Sequence, residues 1–599
     1  MTPAIVALTS TGGQLGRRLA TALGAPLHGL RGRVAGADRH FDDAIAEIRR
    51  LHAAGRPVIG LCAAGILVRA VAPALDDKHR DAPVVAVAED GSVAVPLVGG
   101  HHGANDLARR IAALTGGVAA ITTAGDVAFG LALDMPPPGW RIADPAAVKP
   151  AAAALLAGTP ATITVDPELP GIAAWLAGLP QVPAGGVPVI VSARAAPAGR
   201  ALTYHPPVLA LGVGGERGVA ADELIGLVEA TLAEHGLAGG AVACVASIDL
   251  KADEPAMHAL AARLGVPARF FPAPRLAAEA PRLANPSPAV ERATGCPGVA
   301  EGAALAAAGP DAALIVPKCK SARATCALAL APRAIDPAAV GQARGALAIV
   351  GIGPGDAGWR TPEATAALEA ADDVVGYSLY LDLVGDAIAG KRRHDGTLGA
   401  EEDRVRLALD LAAGGRSVAL VSSGDAGIYG LATLAFELID RGDRADWKRI
   451  TVSVAPGLSA LQAAAARAGA PLGHDFCAIS LSDLLTPWPV IERRLAAAAD
   501  GDFVVALYNP ASQRRSVQFG RALDILGAAR PPETPVAIAR NLGRPGESVI
   551  LASLAEARHA AIDMLTIVIV GSSRTRRADA GGAPRIYTPR GYLDGGPSS

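Results

Sequence analysis

The stretch Leu347–Leu368, LAIVGIGPGDAGWRTPEATAAL, admits few folds. A strand-length apolar run, Leu347–Val350, ends in Gly351-Ile352-Gly353-Pro354-Gly355-Asp356, with glycine at alternate positions. Such a loop turns sharply and lets a ligand come close to the backbone. Thr361, Pro362 and Glu363 then read as an N-cap, a proline at the first helical position and an acidic first turn. Ala364, Ala367, Leu368 and Ala371 share one face of the helix that follows. Strand, glycine loop and helix in that order begin an α/β unit. A dinucleotide fingerprint needs a third glycine where Asp356 stands, and its helix would open directly from the strand. No Gly-Lys-Ser/Thr follows, so the loop is not a Walker phosphate cradle either.

The pattern recurs downstream. Ser417–Val421 runs into SSGDAGIYG at 422–430, and Ile450–Val454 into APGLS at 455–459 with an alanine-rich helix behind it. Phe503–Leu507 runs into YNPAS at 508–512, and Val536–Ala539 into RNLGRPG at 540–546. Each small or polar loop sits at the carboxyl end of an apolar run, where open α/β sheets bind their ligands.

With these loops in this order, residues 346–592 resemble the tetrapyrrole (uroporphyrin/precorrin) methyltransferases. Within that family LYNPAS, ARNLGRPGES and GDAGIYG are similar to precorrin-3B C-17-methyltransferases. The resemblance implies a two-subdomain fold distinct from the usual Rossmann methyltransferase. It also implies S-adenosyl-L-methionine as methyl donor, a precorrin or cobalt-precorrin as substrate, ring contraction with C-17 methylation, and a homodimer. Carried over by motif, the cofactor-lining positions are Gly353, Pro354, Gly355, Gly424, Asp425, Ile428, Tyr429, Pro456, Gly457, Tyr508 and Asn541. Asp425 reads equally as an acceptor for a ribose hydroxyl or amine and as a cap for the helix after Tyr429. The acetate and propionate arms of a tetrapyrrole call for cations, and Arg514, Arg515, Arg540 and Arg544 follow strand-end loops. No general base is named by the pattern; His474 is one option, an ordinary loop histidine the other.

The first half alternates apolar runs and helical stretches as well. Ile5–Leu8 leads through TSTGG at 9–13 into a helix, and Val58–Leu61 ends at CAAG, 62–65. GGHHGAN at 99–105 opens a helix, with Asn105 or Asp106 as N-cap. Amides flanked by glycine at a helix start can hold an oxyanion, and His101 or His102 either adds a donor or a base near neutral pH or is an ordinary solvated or capping histidine of a glycine turn. Lys251, Asp253, Glu254, Glu301 and Lys318 either converge at strand ends or form surface ion pairs. The stretches AAGILVRAVAP at 63–73, GGHHGAN, ITTAGD at 121–126, SIDLKADE at 247–254 and GVAEGAAL at 298–305 resemble the cobalt-precorrin-5A hydrolases. That family opens a lactone and releases a two-carbon fragment; its histidine and asparagine fall on His101 and Asn105. GGHHGAN is one residue shorter than that family's S-G-H-x-G-G-A-N. Two alternatives stay open: the first half only holds a labile precorrin, or the second half methylates a different acceptor.

The expected architecture is therefore α/β and multidomain: N-terminal α/β modules followed by the two-subdomain methyltransferase fold. Its boundaries are a hydrolase-like domain at 1–130, a small Pro- and Ala-rich connecting domain at 131–207 and a second hydrolase-like domain at 208–332. A linker at 333–345, the methyltransferase domain at 346–592 and a tail at 593–599 follow. With only 3% aromatic residues, the cores must be built from Ala, Val, Leu and Ile. A net charge of −2 and the lack of an arginine-rich, aromatic-interleaved stretch argue against nucleic acid. Cys62, Cys244, Cys296, Cys319, Cys326 and Cys477 have neither CxxC nor zinc spacing, so no metal site is expected and a reducing cytoplasm is. MTPAIVALTSTGGQL lacks the basic start and apolar core of a signal peptide, and no run is long and apolar enough for a membrane span.

Overall fold

Short apolar runs that alternate with helices decide the architecture, and the chain is α/β and multidomain throughout. The computed structural model describes residues 2–75, 81–196, 201–397, 399–442, 444–512 and 517–591, without the side chains of 101, 386 and 580. The chain divides into two compact units between Arg344 and Gly345.

In the first unit a seven-stranded sheet is ordered Arg39–Phe41, Leu27–Leu30, Ala4–Ala7, Val58–Leu61, Val84–Val87, Val93–Val98, Val118–Ala119. The strands from Arg39–Phe41 to Val84–Val87 are parallel, and Val93–Val98 runs against its neighbour Val84–Val87. Ile5 and Ala7 pack on one face with Leu15, Leu19 and Ile111; Ala4 and Val6 pack on the other with Ile48, Leu51 and Leu67. Both faces are covered, as the near-continuous apolar runs require. A four-stranded sheet follows, ordered Arg141–Ile142, Leu202–His205, Val187–Val191, Ala161–Val165. A five-stranded sheet then places three parallel strands (Ala268–Phe271, Val242–Ile248, Leu209–Gly215) beside an antiparallel pair, Ala324–Leu330 and Ala313–Lys320. Residues 333–345 carry no helix or strand, yet they dock on this last sheet. Ile335 is buried and donates to Pro207 O at 2.8 Å, Gln342 pairs with Phe270, and Arg269 Nε reaches Val340 O at 2.6 Å.

The second unit is built on two larger sheets. The first is wholly parallel, ordered Arg392–Gly396, Asp373–Tyr377, Ser417–Ser422, Ala346–Gly351, Thr451–Ala455. The second is mixed, ordered Phe476–Ser480, Val504–Tyr508, Thr566–Val570, Pro535–Arg540, Ser548–Ser553. In it Thr566–Val570 runs against both Val504–Tyr508 and Pro535–Arg540. Those two strands therefore point the same way, and Tyr508 and Arg540 end at one sheet edge with Ser480. A small three-stranded sheet, Gly469–Ala470, Ala583–Tyr587 and Arg576–Ala580, completes the unit.

The helix signals of the sequence have local causes here. Thr361 Oγ1 accepts from Ala364 N at 3.1 Å, with Pro362 at the first helical position of Pro362–Ala370. Ser459 and Gln462 form a reciprocal capping box on Ala460–Ala468. The helix Ala104–Thr115 departs from expectation. Its N-cap is Gly103, in the left-handed region at φ 94°, so neither Asn105 nor Asp106 caps it. Both lie inside the first turn. Among the described residues no helix is long and apolar enough to cross a membrane.

Candidate functional site

In the second unit the strand-end loops of both large sheets meet at one cleft of about 250 Å³. Gly353 and Gly424 exchange both backbone hydrogen bonds, at 3.1 and 2.9 Å, which joins the first two loops of the parallel sheet. The third loop joins them through Asp425, whose carboxylate accepts from Gly457 N at 3.1 Å and from Gly427 N at 2.8 Å. Thr361 Oγ1 donates to Pro456 O at 3.0 Å, so the cap residue also pins this loop. There is no room for side chains where the loops touch: a Cβ on Gly457 would stand 2.1 Å from Gly424 O and 2.7 Å from Gly351 C and O.

The mixed sheet closes the cleft from the other side. The Tyr429 hydroxyl reaches across to donate to Ala478 O at 2.9 Å, and its ring packs on Tyr508 at 5.1 Å with the planes inclined 54°. The Tyr508 hydroxyl accepts from Leu461 N at 3.1 Å. Burial pushes both phenols above their ordinary pKa, so both stay neutral near physiological pH. Arg544 Nε donates to Pro354 O at 2.7 Å and Nη2 to Ser423 Oγ at 3.3 Å. Tyr429, Asn509 and Asn541, all lining the cleft, hold left-handed backbones at φ 51°, 51° and 53°. Asp502 is the remaining non-glycine residue of this kind among those described. Such conformations cost of order 1–3 kcal/mol each, less for asparagine, and gather at binding sites.

The expected cofactor positions divide into two groups. Pro354, Gly424, Asp425, Ile428, Tyr429, Tyr508 and Asn541 line the cleft. Gly353, Gly355, Pro456 and Gly457 stand in the same loops without lining it; Gly353, Pro456 and Gly457 hold those loops by backbone hydrogen bonds, and Gly355 packs under the Arg544 side chain. Asp425 does not cap Leu431–Arg441, since its N-cap Gly430 receives no side-chain bond. The expected cations fare differently. Arg544 lines the cleft, but Arg540 is taken up by Asp563, Nε and Nη2 both 2.8 Å from Oδ2. Arg514 and Arg515 lie outside the described residues. His474 precedes Phe476–Ser480, at the far end of that strand from the cleft, and its Nδ1 accepts from Asp475 N at 2.8 Å. It is not placed to serve as a base at this cleft.

Sequence reasoning missed Tyr380, Ser423, Ser459, Asn509 and the segment Met564–Ile567, all lining the cleft. Asn509 stood in the YNPAS motif, and its Nδ2 donates to Ser480 Oγ at 3.1 Å. Met564–Ile567 enters at the amino end of its strand, where no strand-end loop marks it.

A family model described as Tetrapyrrole (Corrin/Porphyrin) Methylases matches residues 346–558. Models described as Cobalamin synthesis G N-terminal and Cobalamin synthesis G C-terminus match 46–126 and 209–329. A precorrin-3B C(17)-methyltransferase from a Sinorhizobium species is 45% identical over 254 residues, which is 41% of this chain and 97% of that protein. The chain belongs to the tetrapyrrole methylase family. Cobalamin biosynthesis protein CobIJ of Mycobacterium tuberculosis is 46% identical over 256 residues, 42% of this chain and 49% of its own length, so the chain spans about half of that relative. The crystal structure of the methyltransferase CobJ is 41% identical and covers 41% of this chain and 100% of its own, with a TM-score of 0.37. Within this methylase the match to the family model spans the parallel sheet and the first four strands of the mixed one in chain order, including every strand-end loop that meets at the cleft.

The first unit holds its expected residues in different company. Asn105 is buried, and its Nδ2 donates to Thr123 Oγ1 at 2.7 Å and Asp126 Oδ2 at 3.0 Å. Arg109 bridges Asp126 and Asp106. The His101 side chain lies outside the described residues; its backbone is in the short turn Gly100–His102 just before that helix. The charged residues of the last sheet of this unit form two networks. Glu254, 2% exposed, accepts from Gly218 N at 2.9 Å and stands 3.8 Å from both Arg217 and Lys251. Glu301, equally buried, accepts from the amides of Ala284, Asn285 and Lys318 and from Asn285 Nδ2, all within 2.9 Å. Burial alone would raise its pKa, but these donors hold it below the ordinary range. Neither carboxylate is a surface partner.

Proposed function

We propose that residues 346–592 transfer a methyl group from S-adenosyl-L-methionine to C-17 of precorrin-3B, or of its cobalt form, with ring contraction in cobalamin biosynthesis. In the same chain, residues 1–332 form a lactone-opening module of the cobalt-precorrin-5A hydrolase type. The observation that carries the reading is the joining of the strand-end loops of both sheets at one cleft. The near-complete coverage of a precorrin-3B C(17)-methyltransferase at 45% identity supports the choice of acceptor. The two Cobalamin synthesis G matches support the second module. The reading includes a homodimer through the methylase unit.

The residues present suit the methyl donor. A Cβ built on Gly424 meets nothing closer than 3.9 Å, and its nearest neighbours, Ser459 and Ala460, also line the cleft, so a side chain there would fill the cleft itself. Tyr429 and Tyr508 offer an aromatic wall with neutral hydroxyls, and Asp425 an acceptor for ribose or ammonium. The donor supplies a sulfonium-bound methyl. The protein's part is to align it with the acceptor carbon and to shed water. Loops tied to one another by hydrogen bonds of 2.9–3.1 Å suit that part, because an in-line displacement tolerates little play.

The test is to incubate the full-length protein with precorrin-3B or cobalt-factor III and methyl-labelled cofactor. Label at C-17 of a ring-contracted product is expected. Label in neither acceptor would sink the reading, and transfer to another acceptor would replace it.

A further inference from the structure

One long side chain crosses the cleft of the methylase unit. The turn that carries it is fixed from within: Asn541 Nδ2 donates to Pro545 O at 2.5 Å, and Gly543 N to Glu547 Oε2 at 2.8 Å. From this turn Arg544 reaches the loops of the parallel sheet, bonding Pro354 O and Ser423 Oγ, with its guanidinium 5.9 Å from the centroid of the Tyr380 ring. Its path explains Gly355, where a Cβ would stand 2.8 Å from Arg544 Cγ and 2.9 Å from Nε. Nε and Nη2 are thus engaged, while Nη1 makes no hydrogen bond among the described residues.

Charge then narrows the choice. Among the described residues lining the cleft Arg544 is the sole cation and Asp425 the sole carboxylate. Asp425 already answers two backbone amides. The methyl donor carries an α-carboxylate and an ammonium beside its sulfonium. A carboxylate withdrawn from water needs a cation with free donors. We propose that Arg544 binds the α-carboxylate of the methyl donor through Nη1, while Nε and Nη2 keep the two sheets' loops in register. This rests on the reading of the cleft as the methyl-donor site, and it takes Arg544 out of the set facing the arms of the tetrapyrrole. A planar guanidinium can serve both tasks at once; the point charge of a lysine cannot.

The experiment compares two ligands by titration calorimetry on the full-length protein. S-Adenosylhomocysteine keeps the α-carboxylate; 5′-methylthioadenosine keeps the thioether nucleoside without it. R544Q is expected to weaken S-adenosylhomocysteine about 10- to 100-fold more than methylthioadenosine, the range for a hydrogen bond to a charged group, with only the smaller loss from the loop contacts common to both ligands. R544K should repeat the contrast at smaller amplitude, and it serves if R544Q does not fold. Equal loss for both ligands would overturn the proposal and leave a loop latch. Unchanged S-adenosylhomocysteine affinity with a raised KM for the tetrapyrrole would overturn it in favour of substrate binding. Wild-type protein that binds neither ligand is a separate result, and it removes the methyl-donor reading itself.

Discussion

Gly457→Ala should disable the cleft while leaving the unit folded. The added Cβ would stand 2.1 Å from Gly424 O, whereas ordinary contact begins at 3.4 Å, so the second and third loops must part by roughly 1.3 Å. Backbone on both sides offers no flexible side chain to give way, and the Asp425–Gly457 bond at 3.1 Å is stretched with it. Overpacking of this kind costs about 1–3 kcal/mol. In a unit of this size that lowers Tm by about 2–4 °C per kcal/mol. Misplacement by about 1 Å in an aligned site costs on the order of 10²-fold in rate. The assay pairs a melting curve with calorimetric binding of S-adenosylhomocysteine and turnover of labelled cofactor. Expected are a Tm lower by about 2–12 °C, binding at least about tenfold weaker and kcat/KM down about 10²-fold. Gly520→Ala is the control: it lies in the helix Gln518–Gly527, a Cβ there meets nothing within 4 Å, and the gain in helix propensity should stabilise by up to about 1 kcal/mol. Wild-type affinity in G457A would refute the reasoning, because the loops would then not need to touch.

The remaining expectations are more quickly stated. A protein beginning at Gly345, where the units divide, should fold and methylate alone and sediment as a dimer; an inactive fragment rescued by residues 1–344 in trans would show that the units work as one. His101→Ala should lower two-carbon fragment release by about 10²–10⁴-fold, the range for a general acid-base group, with C-17 methylation unchanged and His102→Ala doing less; a wild-type protein that releases no fragment would leave the first unit as a precorrin carrier. Glu47→Gln should flatten the acid limb of the stability curve. Burial alone would raise the Glu47 pKa, but bonds from Arg50 and His28 outweigh it and hold the group at about 2. A depressed carboxylate stabilises above its unfolded pKa of 4.5 and loses that contribution as pH falls towards 2. Denaturant melts between those pH values should therefore show a smaller loss in the variant, by an amount of order 1 kcal/mol.

The strand-end loops of the second unit were legible because each is local. A buried strand reads as an apolar run, and the turn after it must be small where backbones touch, as at Gly351 and Gly457. Thr361 and Ser459 were legible as caps for the same reason. What failed depends on partners distant in the chain. Arg540 reads as a free cation until the sheet order brings Asp563 to it. Met564–Ile567 reaches the cleft only because its strand is threaded antiparallel between two others. At 99–105 the error was one of register. A left-handed Gly103 ends the turn two residues before Asn105, and the asparagine is drawn inside to Thr123 and Asp126.

The three left-handed residues at the cleft, Tyr429, Asn509 and Asn541, set two selection pressures against each other. Glycine accepts that backbone freely, so a library sorted by heat tolerance alone is rewarded for glycine at each position. The same exchange deletes the Tyr429 tether to Ala478 and the bonds from Asn509 to Ser480 and from Asn541 to Pro545. Such a library should fill with robust, slow proteins, and one sorted by turnover should keep all three side chains and melt earlier. An engineer after a durable biocatalyst does better to leave these three addresses fixed and to stiffen the chain elsewhere.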